Sequence, residues 1–268
     1  AAGIKVICLD LTDQYATLLS DFIDDTYQTK VNADLSAAAN GRPVAQGKDE
    51  GGSIHAFSDA VEERLAQFLE AKTQQSILIF NPAGFRVSKQ VTNAYNGAAA
   101  FTDLTPSEIT AIFSSSALKA CQDLGMTDHA RACLIYEEAH SLVPEWNSVA
   151  SDGDKNATAA SARAILQGRK FGLGCLLITQ RTANVTKTIL NQCNSIFAMR
   201  TFDDTGKEFL GNYIGTEYAR VLPSIKERHA VFFGKASSCD DPVLIRLNDR
   251  QNFVESFREQ QADDTNGD

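Results

Sequence analysis

Ala132-Cys133-Leu134-Ile135-Tyr136-Glu137-Glu138-Ala139-His140 is an apolar run of strand length that stops at two adjacent acids. A buried strand with such an ending has an electrostatic problem. Carboxylates are costly to bury unless a cation, a donor or solvent meets them. At the carboxyl edge of a parallel sheet, where ligands bind, two successive acids can divide labour. Glu137 can hold the water shell of Mg²⁺, and Glu138 can face a nucleophilic water as a base. Two solvated acids at a strand tip are the plain alternative.

Downstream, Gln167-Gly168-Arg169-Lys170-Phe171-Gly172 combines a glycine helix stop with cations that suit a helix C-terminus. That chemistry alone accounts for Arg169 and Lys170. An apolar strand over 173–179 follows and ends in Thr179-Gln180-Arg181. If this strand lies in the same sheet, a polar amide and an arginine reach the edge that carries Glu137 and Glu138. An amide there can sense a γ-phosphate, and an arginine can stabilise charge developing in phosphoryl transfer.

The remaining pattern alternates strands with helices. Lys5–Leu9 is a buried-strand run ending in Asp10, and a helical stretch covers about 15–27. Residues 31–53, rich in Ala, Asn, Gly and Asp, read as a mobile surface insertion. Ala56 to Ala71 carries one apolar helical face. A strand at 76–80 precedes a helix opened by Thr105-Pro106-Ser107-Glu108. Helices at about 156–168, 185–192 and 204–220 and strands at 195–200, 229–235 and 242–247 complete the series, with Asp203-Asp204 as a helix cap. Ser151 to Lys155 reads as a flexible turn. The expected fold is α/β, a mostly parallel sheet covered on both faces. One core is expected over 1–257, and 258–268 reads as a disordered acidic tail.

Composition narrows the classes. The chain has 268 residues, 43% of them hydrophobic, enough for a substantial core. The charge of −9 argues against a monomer that coats nucleic acid by itself, so any DNA contact must come from local basic loops. No run reaches the length of a membrane helix. Six cysteines, none in a CxxC pair and most within apolar runs, suggest buried free thiols in a reducing cytoplasm. His140 with Glu137 lacks further metal ligands, and a role in orienting its loop fits it better. Trp146 reads as a packed aromatic or a partner contact.

Together, "LIYEEAHSLVP" (134–144), "QGRKFGLGCLLITQRT" (167–182) and "ILNQCNSIFAMRTFDDTGKEFL" (189–210) resemble the HerA-type ATPases, relatives of the FtsK translocases and the conjugative secretion ATPases. "KVICLDLTDQYATLL" (5–19) is similar to the strand after that family's P-loop helix, and "HAVFFGKASSCDDPVLIRL" (229–247) to its closing hairpin. The resemblance is dense over 130–247, looser over 1–20 and faint over 30–125. It implies a RecA-like fold and an ATPase using ATP and Mg²⁺. It further implies a homo-hexameric ring that moves double-stranded DNA through pore loops, with a nuclease or effector partner in DNA end processing or anti-phage defence.

By the same resemblance Glu137 takes the Walker B magnesium-side position, Glu138 the catalytic base and Gln180 the sensor. Asp10 takes the acid after the second core strand, while Arg169 and Arg181 take basic positions serving a neighbouring subunit or coupling to movement. The chain departs from the family at three places. Glu137 stands where Asp is usual, and Asp13-Gln14 replaces Gly-Glu beside Tyr15. No GxxxxGK[ST] occurs; Gly41 to Asp49 has the wrong spacing, Pro43 within it and no hydroxyl after Lys48. The start on a strand implies that the family's first strand and P-loop helix lie upstream, which would leave an apolar groove beside strand 5–9. A subunit with a degenerate nucleotide site and a secretion motor with protein cargo are the alternatives.

Overall fold

A computed structural model describes residues 3–41, 52–70, 75–92, 97–145 and 152–266. The chain divides into two compact units, one of Ala1–Gln180 with Asn184–Leu190 and one of Arg181–Ala183 with Asn191–Asp268. The sequence pattern had suggested a single core over 1–257.

In the first unit, β1 (Lys5–Leu9), β2 (Ile77–Phe80), β5 (Ala132–Tyr136) and β6 (Leu173–Leu177) form a four-stranded sheet in the order β2-β1-β5-β6. Every pairing in it is parallel, as the apolar strands separated by helices require. The register places Ile7 and Leu9 beside Leu78 and Phe80 on one side and Leu134 and Tyr136 on the other. These six side chains share one face and are fully buried.

Helices α2 (Asp25–Ala39), α3 (Ile54–Glu70), α4 (Pro106–Asp123) and α6 (Asp152–Gln167) contribute to the same core. Phe113 of α4 stacks on Phe80 at 4.7 Å and meets Phe57 edge-on at 6.1 Å. Helix α4 starts at 106 because Thr105 accepts from the Glu108 N–H while Glu108 reaches back to the Thr105 N–H. Buried Tyr136 meets Ser114 Oγ at 2.9 Å, and Ser114 donates onward to the Thr110 carbonyl.

The opposite face of the sheet is less covered than expected. Cys8 is fully buried there, but Leu176 on β6 is 42% exposed. The two borders also differ. At β2, Gln28 of α2 donates Nε2–H to the Ile79 carbonyl (2.8 Å) and accepts from the Ile79 N–H at Oε1 (2.9 Å), so its amide stands in for a neighbouring strand. Strand β6 pairs only with β5 among the described residues. The groove expected beside strand 5–9 is absent, because β1 is paired on both sides; the open apolar border is at β6.

Four local readings change. Residues 31–39 belong to helix α2, with Val31, Leu35 and Ala39 buried at intervals of four; 42–51, including most of the rejected P-loop imitation, lie outside the described residues. The stretch 15–27 is broken into α1 (Gln14–Leu18), a 3-10 turn and the start of α2. Residues 152–155 form the first turn of α6, where the expected flexible turn would have been irregular. An antiparallel hairpin of β3 (Ser88–Thr92) and β4 (Ala99–Asp103) was not anticipated. Trp146 also lies outside the described residues.

The second unit holds β7 (Ser195–Ala198), β8 (His229–Gly234) and β9 (Val243–Arg246) in an antiparallel sheet, the last two forming the expected hairpin. Its small core packs Ala198 and Val231 against Leu210 and Ile214 of α8 (Asp204–Ile214) and Ala219 of α9 (Thr216–Val221). Asp203 caps α8 by accepting from the Gly206 N–H at 2.6 Å. Gly234 has φ +114, and a Cβ there would lie 2.1 Å from the Asn194 carbonyl oxygen, so only glycine closes this pairing. Helix α10 (Arg250–Asn266) occupies most of the supposed disordered tail. The cysteines are free, but only Cys8 and Cys121 are buried; Cys133, Cys175 and Cys193 are half-buried, and Cys239 is exposed.

Candidate active site

The parallel register delivers three loops to one edge. Leu9 pairs with Tyr136 and Tyr136 with Leu177, so the residues after β1, β5 and β6 emerge side by side. Backbone bonds continue the alignment past the strands: Glu137 N–H donates to the Leu9 carbonyl (2.9 Å), and Ala139 N–H to the Ile178 carbonyl (2.9 Å).

Asp10 is fully buried and folds the first loop. Its Oδ1 accepts from the Thr12 N–H (2.8 Å) and hydroxyl (2.6 Å), and its Oδ2 from the Tyr15 N–H (2.8 Å). Both oxygens are thus committed to shaping the turn that presents Tyr15. Within it Asp13 adopts a left-handed φ of 56, held by a 2.8 Å bond from Asn81 Nδ2. Asp tolerates this region better than most side chains. Glycine would adopt the same backbone angle without strain.

The Tyr15 side chain lies near Glu137 and interacts with its carboxylate. Burial, then the charge of Glu137, pushes the Tyr15 hydroxyl well above its ordinary range, so it remains a donor. Glu137 is itself raised, first by burial and then by the charges of Glu138 and Asp10, against the lowering effect of Tyr15. Its Oε2 is buried without a hydrogen-bond partner. An unsatisfied carboxylate oxygen beside two other acids suits a cation that retains most of its waters, as Mg²⁺ does. Among the described residues no three His, Cys, Asp or Glu groups converge as direct metal ligands.

Glu138 also has a left-handed backbone, φ 55. Gln180 Nε2–H donates to its Oε1 at 3.0 Å, and His140 Nδ1 lies 3.1 Å from its Oε2. The same His140 nitrogen is 3.2 Å from Thr179 Oγ1. Asp10, Glu137, Glu138 and Gln180 therefore occupy one edge of the sheet. Arg181 is exposed just beyond Gln180. Arg169 lies in the 3-10 turn before β6, at the opposite edge, about 16 Å away along a five-residue strand. It cannot meet Glu138 within one chain. Tyr15, Asn81 and Thr179 also join the site, though sequence spacing gave them no role. The tyrosine beside the quoted acid motif was the available signal for the first.

No family model matches the chain. The chain is 25% identical over 118 residues to the DNA double-strand break repair helicase HerA of Pyrococcus furiosus, covering 42% of this chain and 20% of that protein. The similarity is to HerA-type helicases. Over 120 residues it is 27% identical to a probable DNA double-strand break repair helicase HerA of Methanocaldococcus jannaschii (43% of this chain, 22% of that protein). A probable helicase of the same organism is 28% identical over 88 residues (32% and 16%). The matches thus span about a fifth of these relatives' lengths. Among solved structures, VirB4 of Thermoanaerobacter pseudethanolicus has a TM-score of 0.47 at 10% identity, covering 92% of this chain and 82% of that one. The genome packaging NTPase B204 from Sulfolobus turreted icosahedral virus 2, in complex with ATP-gammaS, has a TM-score of 0.45 at 13% identity (92% and 98%).

Proposed function

We propose that this chain carries the hydrolytic edge of an ATP-driven motor that translocates double-stranded DNA. The observation that carries the reading is the contact between Gln180 and Glu138, which joins the tips of neighbouring parallel strands beside Glu137. The stretches of similarity to HerA helicases support the same class.

In this reading ATP lies at the carboxyl edge of the sheet. Glu138 takes a proton from the attacking water, and Gln180 reports the state of the γ-phosphate by exchanging its bond to Glu138 for one to the nucleotide. Glu137, with Tyr15 beside its carboxylate, would hold the water shell of Mg²⁺, and that ion would supply charge neutralisation on the phosphates. Asp10 shapes the loop that carries Tyr15. Arg181, and Arg169 from the far edge, serve an adjoining subunit of a homo-hexameric ring. Basic pore loops of that ring meet DNA phosphates, with a nuclease or effector as partner and the cytoplasm as the place of action. No helix among the described residues is long and apolar enough to cross a membrane.

The test is ATP turnover and ATP binding by the complete polypeptide that contains this chain. Glu138→Gln should lower turnover by about 10²-fold or more and leave ATP affinity within a few-fold. Undiminished turnover in that variant rejects the assignment. Absence of ATP binding by the complete protein favours a structural subunit instead, and a motor stimulated by a protein cargo but indifferent to DNA favours secretion.

A further inference from the structure

We infer that His140 is a positioning residue for Glu138, acting as a donor fixed in the Nδ1–H tautomer. The inference builds on the proposed role of Glu138 as the base. Residues two apart on a helix do not face each other, and α5 (Ala139–Leu142) starts directly after Glu138. The left-handed turn at Glu138 changes that geometry. With φ at 55 the chain reverses before the helix, and the Glu138 and His140 side chains converge to 3.1 Å.

An ionised carboxylate only accepts hydrogen bonds. The contact therefore places the proton on His140 Nδ1, with Thr179 Oγ1 at 3.2 Å as a second acceptor for the same proton. Gln180 holds the other carboxylate oxygen. Glu138 is thus clamped between donors from two elements, and its side chain and that of His140 are only 18% and 17% exposed. Gln180 itself is exposed, so the bond from the less exposed His140 is the one that weighs more than a surface bond would. When Gln180 turns to a nucleotide, the His140 bond is the one that remains. It keeps the freed oxygen aimed at the sheet edge, where a water would be activated, and prevents the carboxylate from rotating away.

The tautomer is read by long-range proton–nitrogen NMR on the 268-residue chain labelled at histidine, with His140 assigned by substitution. A protonated Nδ1 is expected; an Nδ1 without a proton in the unsubstituted chain overturns the inference even if every variant misfolds. The Gln180 side-chain amide reports the orientation of Glu138. His140→Asn, whose amide nitrogen falls near the Nδ1 position, should retain the shifted Gln180 amide resonance, and His140→Leu should lose it. An unchanged Gln180 resonance in His140→Leu means that the histidine only fills space.

In the complete polypeptide, His140→Leu should lower kcat with little change in KM for ATP, and His140→Asn should restore much of it. Equal kcat in the two variants rejects the positioning role. A complete polypeptide without ATPase activity, but with the Nδ1 tautomer and the Gln180 response intact, rejects the motor and leaves the positioning of Glu138 standing.

Discussion

The Tyr15 side chain meets Glu137 where the loops after β1 and β5 run side by side, and the buried Oε2 of that carboxylate has no hydrogen-bond partner. This half-satisfied acid sets a pH dependence. Burial is the main reason its folded-state value lies above the unfolded one, so the native state holds the proton more tightly. The stabilising contribution is present at acid pH and is lost as pH rises through the raised value. Glu137→Gln keeps an acceptor for Tyr15 and removes the ionisation. It should resist urea better than the parent chain at pH 8, with the gap closing below about pH 4, the ordinary carboxylate range. A gap that widens on acidification contradicts this account.

Asp13 offers a backbone test of the motif departure. At φ 56 a side chain costs about 1 kcal/mol that glycine does not, while the Asn81 bond returns part of it. Asp13→Gly should leave stability within about 1 kcal/mol of the parent, and β-branched Asp13→Val should lose about 2 kcal/mol. Denaturant midpoints measured together rank the three; a valine variant equal to glycine would show that the turn is not held left-handed.

The Thr105 cap and the Phe113 ring stabilise α4 by different means. Thr105→Ala should cost about 1 kcal/mol, since it strips the cap from a helix start that Pro106 still favours. Phe113→Ala should cost about 3–5 kcal/mol, because it opens a cavity against Phe57 and Phe80. Hydrogen exchange of the β5 amides should rise far more in the second variant.

Thiol reactivity separates the cysteines. Burial, followed by the charges of Asp10, Glu137 and Cys133, pushes the Cys8 thiol up to about 12, and the thiolate is the reactive form. At pH 8 iodoacetamide should modify exposed Cys239 at least about 10³-fold faster than Cys8. Peptide mass spectrometry before and after denaturation checks this. Early labelling of Cys8 would mean that the sheet edge opens readily.

The strands of the parallel sheet were legible because each is a short apolar run ending at a polar residue, and a buried parallel strand needs no other signal. The partnership of Glu138 with Gln180 was legible for the same reason: strand tips that follow each other in a parallel sheet meet at one edge. Helix α2 was hidden because Val31, Leu35 and Ala39 form a thin stripe in a segment whose Ala and Asn content suggested a loop. The hairpin β3–β4 was hidden because Ser88-Lys89-Gln90-Val91-Thr92 carries one apolar residue and no alternation. The first turn of α6 contains turn-forming Asp152-Gly153-Asp154, yet Thr105 Oγ1 donates to Asp154 at 2.6 Å, and tertiary contact overrides propensity. The approach of His140 to Glu138 depends on one backbone angle, which no spacing rule encodes.

The unequal borders of the parallel sheet have a consequence for assembly. Gln28 seals the β2 side, leaving no free peptide groups at Ile79 for a visiting strand. Growth of this sheet is therefore one-directional. Among the described residues the border left open is β6, next to small Gly174 and exposed Leu176, and a ribbon of chain added there would run beside the strand that leads to Gln180. Whatever docks there reaches the loop that touches Glu138, so enlarging the framework and completing the chemistry would be a single event.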